Sequence, residues 1–350
     1  MNYIVLHSLV LSVNDSFGAV LANFGANVTA RNQTVIILGM RDKFDIQTKR
    51  GVMTDGQPSR DPLLVRQQLP DGSITPMALR RPDGTPRGIV VLWPGFGMGA
   101  RYYRPMAQEL QRRGFCVLTS ELRGQGAQTA VASRRHDWGY HDLASIDYPT
   151  AVNVARREFE SEETGRLPVY MMCHSMGGQI ASLYLSRPEA DIDGLITIGS
   201  GTPHYIRFKG REYKRLRWGA PLMQVIARIF GYWPASKLDL AGYGRQAGTH
   251  VREWAGFSRT GRLQVHHTNF QYEREMQQVT TPTLMITCAA DRDCPPDSAM
   301  DLASRLPRAA KFTFIDQRLG HNRWAREPQA VADRFERFIE EIPTWSVYED

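Results

Sequence analysis

From Leu63 onward the chain alternates between short aliphatic or β-branched runs and longer stretches with helical spacing. The runs Gly88–Pro94, Phe115–Glu121, Pro168–His174, Gly194–Ser200, Pro282–Ala289 and Ala310–Gln317 are the strand candidates, rich in aliphatic and β-branched residues. Strands of that kind are buried on both faces, as in a parallel sheet covered by helices. Between them the spacing predicts helices over Tyr102–Arg113, Ala144–Glu160, Gln179–Ser186, Ser298–Arg305 and Pro328–Glu341. Leu63–Leu69 and Ile74–Arg80 come earlier and supply an antiparallel edge.

One stretch breaks the alternation. Residues 202–278 contain no convincing strand. Within them Leu222, Val225, Ile226, Ile229, Phe230 and Trp233 fall at helical i, i+3, i+4 spacing. Such a stripe either packs on its own domain or lines an apolar pocket under a cap. The organisation expected is therefore an α/β core over 61–201 and 279–350, with a helical cap or lid at 202–278. Residues 1–60 are the least patterned and form an N-terminal extension of uncertain structure. Ile4–Val13 is apolar but broken by His7 and Ser8, and no basic residue precedes it, which argues against a secretory signal.

Charge sharpens this division. The formal net charge of the 350 residues is +7, but residues 202–278 hold 13 Lys/Arg against 5 Asp/Glu, an excess of +8. The rest of the chain is near neutral. A basic segment attracts anionic substrates or surfaces, or is a solvated face. No nucleic-acid-binding module accompanies it, so nucleic acid is not an expected partner. No run approaches the roughly 18 apolar residues of a spanning helix, so no stable membrane insertion is expected. The four cysteines (116, 173, 288 and 294) are few and sit largely in strand-like runs. Buried thiols in a reducing, cytoplasmic setting are the expectation, and no metal-ligand spacing is present.

The candidate chemistry centres on Val169-Tyr170-Met171-Met172-Cys173-His174-Ser175-Met176-Gly177-Gly178. A buried strand runs through a polar residue with small neighbours straight into a helix. That forces Ser175 into a strained turn with its hydroxyl exposed at the carboxyl end of the sheet. A hydroxyl needs a base and an orienting acid. His321, in Leu319-Gly320-His321-Asn322, follows the last strand and is the candidate base. Asp291 follows the strand ending near Ala289 and is the candidate acid, with Asp293 as its rival two residues on. The loop after Ile196–Gly199 offers only Ser200, Gly201 and Thr202, and no carboxylate. Two backbone N–H groups are required for a developing oxyanion. They are expected from Met176 and from Phe96, in Pro94-Gly95-Phe96-Gly97-Met98-Gly99. His174 is expected to pack away from the site, and Cys173 is not expected to act, because such a turn presents only its central residue.

Taken together these residues resemble the α/β-hydrolase superfamily, in its serine-aminopeptidase and lysophospholipase-like branch, from about Leu63 to the C-terminus. Pro94-Gly95-Phe96-Gly97 is similar to its oxyanion loop. Glu121-Leu122-Arg123-Gly124-Gln125-Gly126 is similar to its acidic turn, with glutamate for aspartate. Cys173-His174-Ser175-Met176-Gly177-Gly178 is similar to its nucleophile elbow, with cysteine where glycine is usual. Asp291 with Pro295, and Gly320-His321, match its acid and histidine positions. The resemblance implies cleavage of a small-molecule or lipid-like ester, or of a thioester or amide, without metal or organic cofactor. An acyltransferase on the same residues and a non-catalytic binding protein on the same fold are the alternatives.

Overall fold

The computed structural model describes residues 61–235 and 244–347, and all that follows concerns those residues. The expectations for residues 1–60 lie outside them. Ten strands lie along the chain: β1 (Leu63–Gln68), β2 (Ile74–Arg80), β3 (Gly88–Trp93), β4 (Phe115–Thr119), β5 (Val169–His174), β6 (Gly194–Ile198), β7 (Tyr232–Trp233), β8 (Gln246–Ala247), β9 (Thr283–Cys288) and β10 (Ala310–Ile315). The longer helices are α1 (Arg104–Arg112), α2 (Tyr148–Phe159), α3 (Met176–Leu185), α4 (Ala220–Phe230), α5 (Gly248–Thr260), α6 (Pro296–Ala303) and α7 (Gln329–Glu341).

Eight strands form one sheet in the order β1-β2-β4-β3-β5-β6-β9-β10. β1 pairs antiparallel with β2 and β2 antiparallel with β4, while the remaining neighbours are parallel. This is the parallel sheet with an antiparallel edge that the sequence pattern predicts. Alternation along each strand feeds two cores. Ile89, Val91 and Trp93 of β3 face one layer with Met171 and Cys173 of β5. Val90, Leu92 and Met172 face the other, against Tyr103, Phe335 and Phe338. Both faces are covered, which is why these strands read as mostly apolar runs. In the first layer the rings of Trp93 and Tyr148 stack 4.1 Å apart.

Three differences from the sequence reading stand out. Helix α3 begins at Met176, immediately after Ser175, and not at Gln179. Met176-Gly177-Gly178 has poor helix propensity, but packing overrides it: a Cβ on Gly177 would lie 2.6 Å from the Pro94 carbonyl oxygen. Residues 202–278 do contain paired strands, the two-residue ribbon β7–β8, too short to leave a periodic signal. And the stripe along α4 packs inward only at Ile226, which is half-buried, and at Trp233, which is buried just past the helix. Leu222, Val225, Ile229 and Phe230 are exposed, and α4 packs on its neighbours through Met223 and Ala227 instead. Apolar spacing marks a helix but does not say which apolar face turns inward.

The register aligns the carboxyl ends of the central strands, with Trp93 opposite Cys173 and His174 opposite Ile198. The loops after β3, β5, β6, β9 and β10 therefore leave the sheet along one edge, where ligands of open α/β sheets bind.

Candidate functional site

Ser175 stands at the turn from β5 into α3 with φ 52° and ψ −121°, a backbone conformation strained for a residue with a side chain. Its N–H donates to the Ile198 carbonyl at 3.0 Å, which ties the turn to β6. Close approach demands glycine around it. A Cβ on Gly95 would meet His174 Nδ1 at 2.8 Å and Ser175 Cβ at 3.1 Å.

The structure brings Ser175, His321 and Asp291 together. His321 Nε2 lies 3.0 Å from Ser175 Oγ, and Nδ1 lies 2.9 and 3.1 Å from the two oxygens of Asp291. An ionised carboxylate only accepts, so Nδ1 carries the proton and Nε2 of the neutral ring accepts the serine O–H. Burial pulls the His321 pKa down, but the hydrogen bond and charge of Asp291 outweigh it, and the net shift is upward. Asp291 itself is fixed by the N–H groups of Asp293 (2.9 Å) and Cys294 (2.8 Å), both donating to Oδ1. The rival Asp293 points elsewhere: its carboxylate is half exposed and pairs with Arg215. Gly199, at the end of β6, has φ 61°, and a Cβ there would lie 3.0 Å from His321 Nδ1 and 3.1 Å from Asp291 Oδ2. The loop without a carboxylate thus makes room for the pair contributed by its neighbours.

The loop carrying Phe96 is anchored on both sides. The Gly95 N–H donates to Tyr103 Oη at 3.0 Å and the Gly97 N–H to Gln125 Oε1 at 2.6 Å. Glu121, buried, accepts from the N–H of Ala100 at 2.7 Å and of Ala127 at 3.3 Å, and burial raises its pKa. The 121–126 turn therefore holds the 95–100 loop in place. Met176 and Phe96 both line the cavity at Ser175.

His174 does not simply pack away. Tyr103 Oη lies 2.6 Å from its Nδ1, and its Nε2 lies 2.9 Å from the His321 carbonyl oxygen. A carbonyl only accepts, so Nε2 carries the proton, Nδ1 accepts from the tyrosine, and the ring is neutral. Burial, and then the nearby His321, push its pKa well below the ordinary value, in keeping with that assignment. Tyr103 thus ties the Gly95 N–H to a histidine that holds the His321 loop. Sequence reasoning missed this connection because Tyr103 lies in an ordinary helical approach to α1, with no local mark of its partners. Cys173 is fully buried and its thiol pKa is raised well above normal by burial, so it is no thiolate; all four cysteines are buried and free.

A cavity of about 290 Å³ opens on Ser175 Oγ. Phe96, Met98, Phe208, Leu216 and Trp254 form its apolar wall, and Arg215, Asp293 and Asn322 its polar side. Phe208, Leu216 and Trp254 come from residues 202–278. Among the tryptophans of these residues Trp254 lines the cavity, Trp233 is buried with Met223, Ala227 and Val251, and Trp218 is on the surface.

An eight-stranded, mostly parallel sheet with a serine turn, a histidine loop and an aspartate loop on its carboxyl edge defines the α/β-hydrolase fold. Within that class the chain belongs to the family described as serine aminopeptidase, S33, whose sequence model matches residues 84–329. It is 22% identical over 260 residues to the AB hydrolase superfamily protein YisY of Bacillus subtilis, a span covering 71% of this chain and 90% of that one. It is 23% identical over 269 residues to monoglyceride lipase of Rattus norvegicus, covering 76% of this chain and 84% of that one. Among solved structures, a soluble variant of monoglyceride lipase from Saccharomyces cerevisiae superposes with a TM-score of 0.59 at 14% identity, over 81% of this chain and 96% of that one. Family membership makes the chain a hydrolase. Among the described residues no helix is long and apolar enough to cross a membrane.

Proposed function

We propose that the protein is a serine esterase that cleaves carboxylic esters of small or lipid-like acyl groups through an acyl-enzyme on Ser175, His321 and Asp291. The observation that carries this is the continuous hydrogen-bonded line from Asp291 through His321 to Ser175 Oγ, opening on an apolar cavity. Ser175 Oγ attacks the substrate carbonyl carbon while His321 Nε2 takes its proton. Asp291 holds the ring in the tautomer that can do so and stabilises the imidazolium. The N–H groups of Met176 and Phe96 receive the oxyanion, the first because the opening N–H groups of a helix have no intrahelical partner. Collapse expels the alcohol, protonated by His321, and water then releases the acid by the same steps in reverse.

Residues 202–278 act in this reading as the cap that walls the acyl side, over a core of 61–201 and 279–350. The matches to monoglyceride lipases support a lipid-like ester. The cavity volume, at the small end for ligand pockets, favours a short or medium acyl chain. Each methylene buried is worth about 0.8 kcal/mol, so kcat/KM on a series of p-nitrophenyl esters should rise by about fourfold per added carbon until the cavity is filled, and then level or fall. Indifference to chain length would overturn the apolar-acyl assignment. Running the same assay with added glycerol and analysing products distinguishes hydrolysis, where free acid accumulates, from acyl transfer, where new ester does.

A further inference from the structure

The helical run Gly210–Phe230, made of Gly210–Lys214, Arg215–Gly219 and α4, is apolar on two opposite faces. Leu216, Ala220, Met223 and Ala227, spaced four, three and four residues apart, are buried. Trp218, Leu222, Val225 and Ile229 repeat that spacing two residues later. At about 100° per residue this places them some 200° around the helix, on the far side. They are 70%, 52%, 52% and 61% exposed. Ile206, Tyr213 and Phe230 are exposed as well, at 53%, 38% and 38%. A surface helix ordinarily carries its polar residues there. A contiguous apolar patch of this kind marks a surface meant to be covered.

The surrounding charge says by what. Between Ile206 and Phe230 there are seven Lys/Arg and one acidic residue, Glu212. Lys209, Arg211, Lys214 and Arg228 are exposed and make no ion pair among the described residues. The Arg217 guanidinium lies over the rings of Tyr205 and Trp218, at 5.0 and 5.3 Å, so the ring of one anchor is already paired with a cation. Arg134 donates to the carbonyls of Ile229 and Phe230 at 2.7 and 3.0 Å, which fixes the end of the helix. A second copy of the chain would bring two strongly positive faces together. A tryptophan-bearing apolar stripe flanked by cations is instead the composition of a helix lying in a lipid interface.

We propose that the outward face of 206–230 docks on an anionic phospholipid surface, with Trp218, Leu222, Val225 and Ile229 inserted among the acyl chains and the basic residues among phosphate headgroups. The same run contributes Arg215 and Leu216 to the cavity at Ser175, so docking would set the cavity wall beside the lipid. The proposal does not rest on the esterase reading, because Ser175→Ala protein keeps the whole face.

The test is co-sedimentation of full-length Ser175→Ala protein with vesicles of phosphatidylcholine alone and with a third of it replaced by phosphatidylglycerol. Binding should be at least about tenfold tighter to the second and should weaken with added salt. Introducing Leu222→Gln with Ile229→Gln should lower it at least about tenfold. Reversing Lys209, Arg211 and Lys214 to Glu should lower it at least about a hundredfold. In the wild-type background neither set should change turnover of a water-soluble short-chain ester, which separates failure of docking from failure of the active site and shows that the variants fold. Equal binding to both vesicles, no binding, or binding that both sets leave intact would overturn the proposal. So would a dimer in light scattering that the Gln pair dissolves, which would give the face to a second copy.

Discussion

Replacing Asp291 by Asn separates the charge and acceptor role of this side chain from its shape. Asp291 Oδ1 accepts two backbone N–H bonds, from Asp293 and Cys294, while Oδ2 lies 2.9 Å from His321 Nδ1. An amide nitrogen cannot accept. Placing it at the Oδ1 position would strand both N–H groups at about 1–3 kcal/mol each, so the amide oxygen stays there and the NH2 turns to His321. Nδ1 must then accept, the ring proton moves to Nε2, and Nε2 donates to Ser175 when it should accept. A misprotonated histidine of this kind lowers kcat by about 10⁴, or about 5.5 kcal/mol in the barrier. The assay is kcat on a soluble p-nitrophenyl ester, with a thermal melt to show that the fold is kept. Asp293→Asn serves as the control: its ion pair with Arg215 is exposed and worth about 1 kcal/mol at most, so kcat should fall less than about tenfold. Asp291→Asn within tenfold of wild type, or Asp293→Asn losing as much, would refute the reasoning.

Three further expectations follow from the same geometry. Tyr103→Phe leaves the Gly95 N–H and His174 Nδ1 without their shared partner, so it should cost about 1–3 kcal/mol in a denaturant melt and lower kcat as well; unchanged stability and rate would contradict the brace. Gly199→Ala pushes a methyl against both His321 and Asp291 at a left-handed backbone position, so kcat should fall by at least about tenfold with KM little altered, as expected when a transition-state interaction is lost; a wild-type kcat would contradict the tight fit. Protonated His321 cannot take the serine proton, and its pKa is raised, so activity should fall with decreasing pH about a midpoint above the ordinary 6.5. A midpoint at or below 6.5 would show that Asp291 does not dominate that ring.

The sheet was legible because strands buried on both faces carry mostly apolar residues, and β3, β5, β6 and β9 are buried along their whole length. Ser175, Asp291 and His321 could be grouped as candidates because each lies in the loop after a strand, β5, β9 and β10, and those strands end along one edge of the sheet. The choice between Asp291 and Asp293 was beyond sequence, since it turns on which carboxylate the N–H groups of residues 293 and 294 hold in place. Tyr103, His174 and Glu121 act through contacts across the fold; motifs mark the places of Glu121 and His174 but not their partners, and nothing in sequence marks Tyr103. The α4 stripe was seen as apolar, but its direction depended on a second apolar face two residues out of phase, which periodicity cannot rank.

The most direct measurement is intact-mass analysis after exposure to a fluorophosphonate, followed by peptide mapping. Wild-type protein should gain one adduct, on Ser175, and should do so far faster than His321→Ala, while Ser175→Ala gains none. An adduct on another residue, or equal labelling of wild type and His321→Ala, would contradict the assignment of an activated serine at this turn.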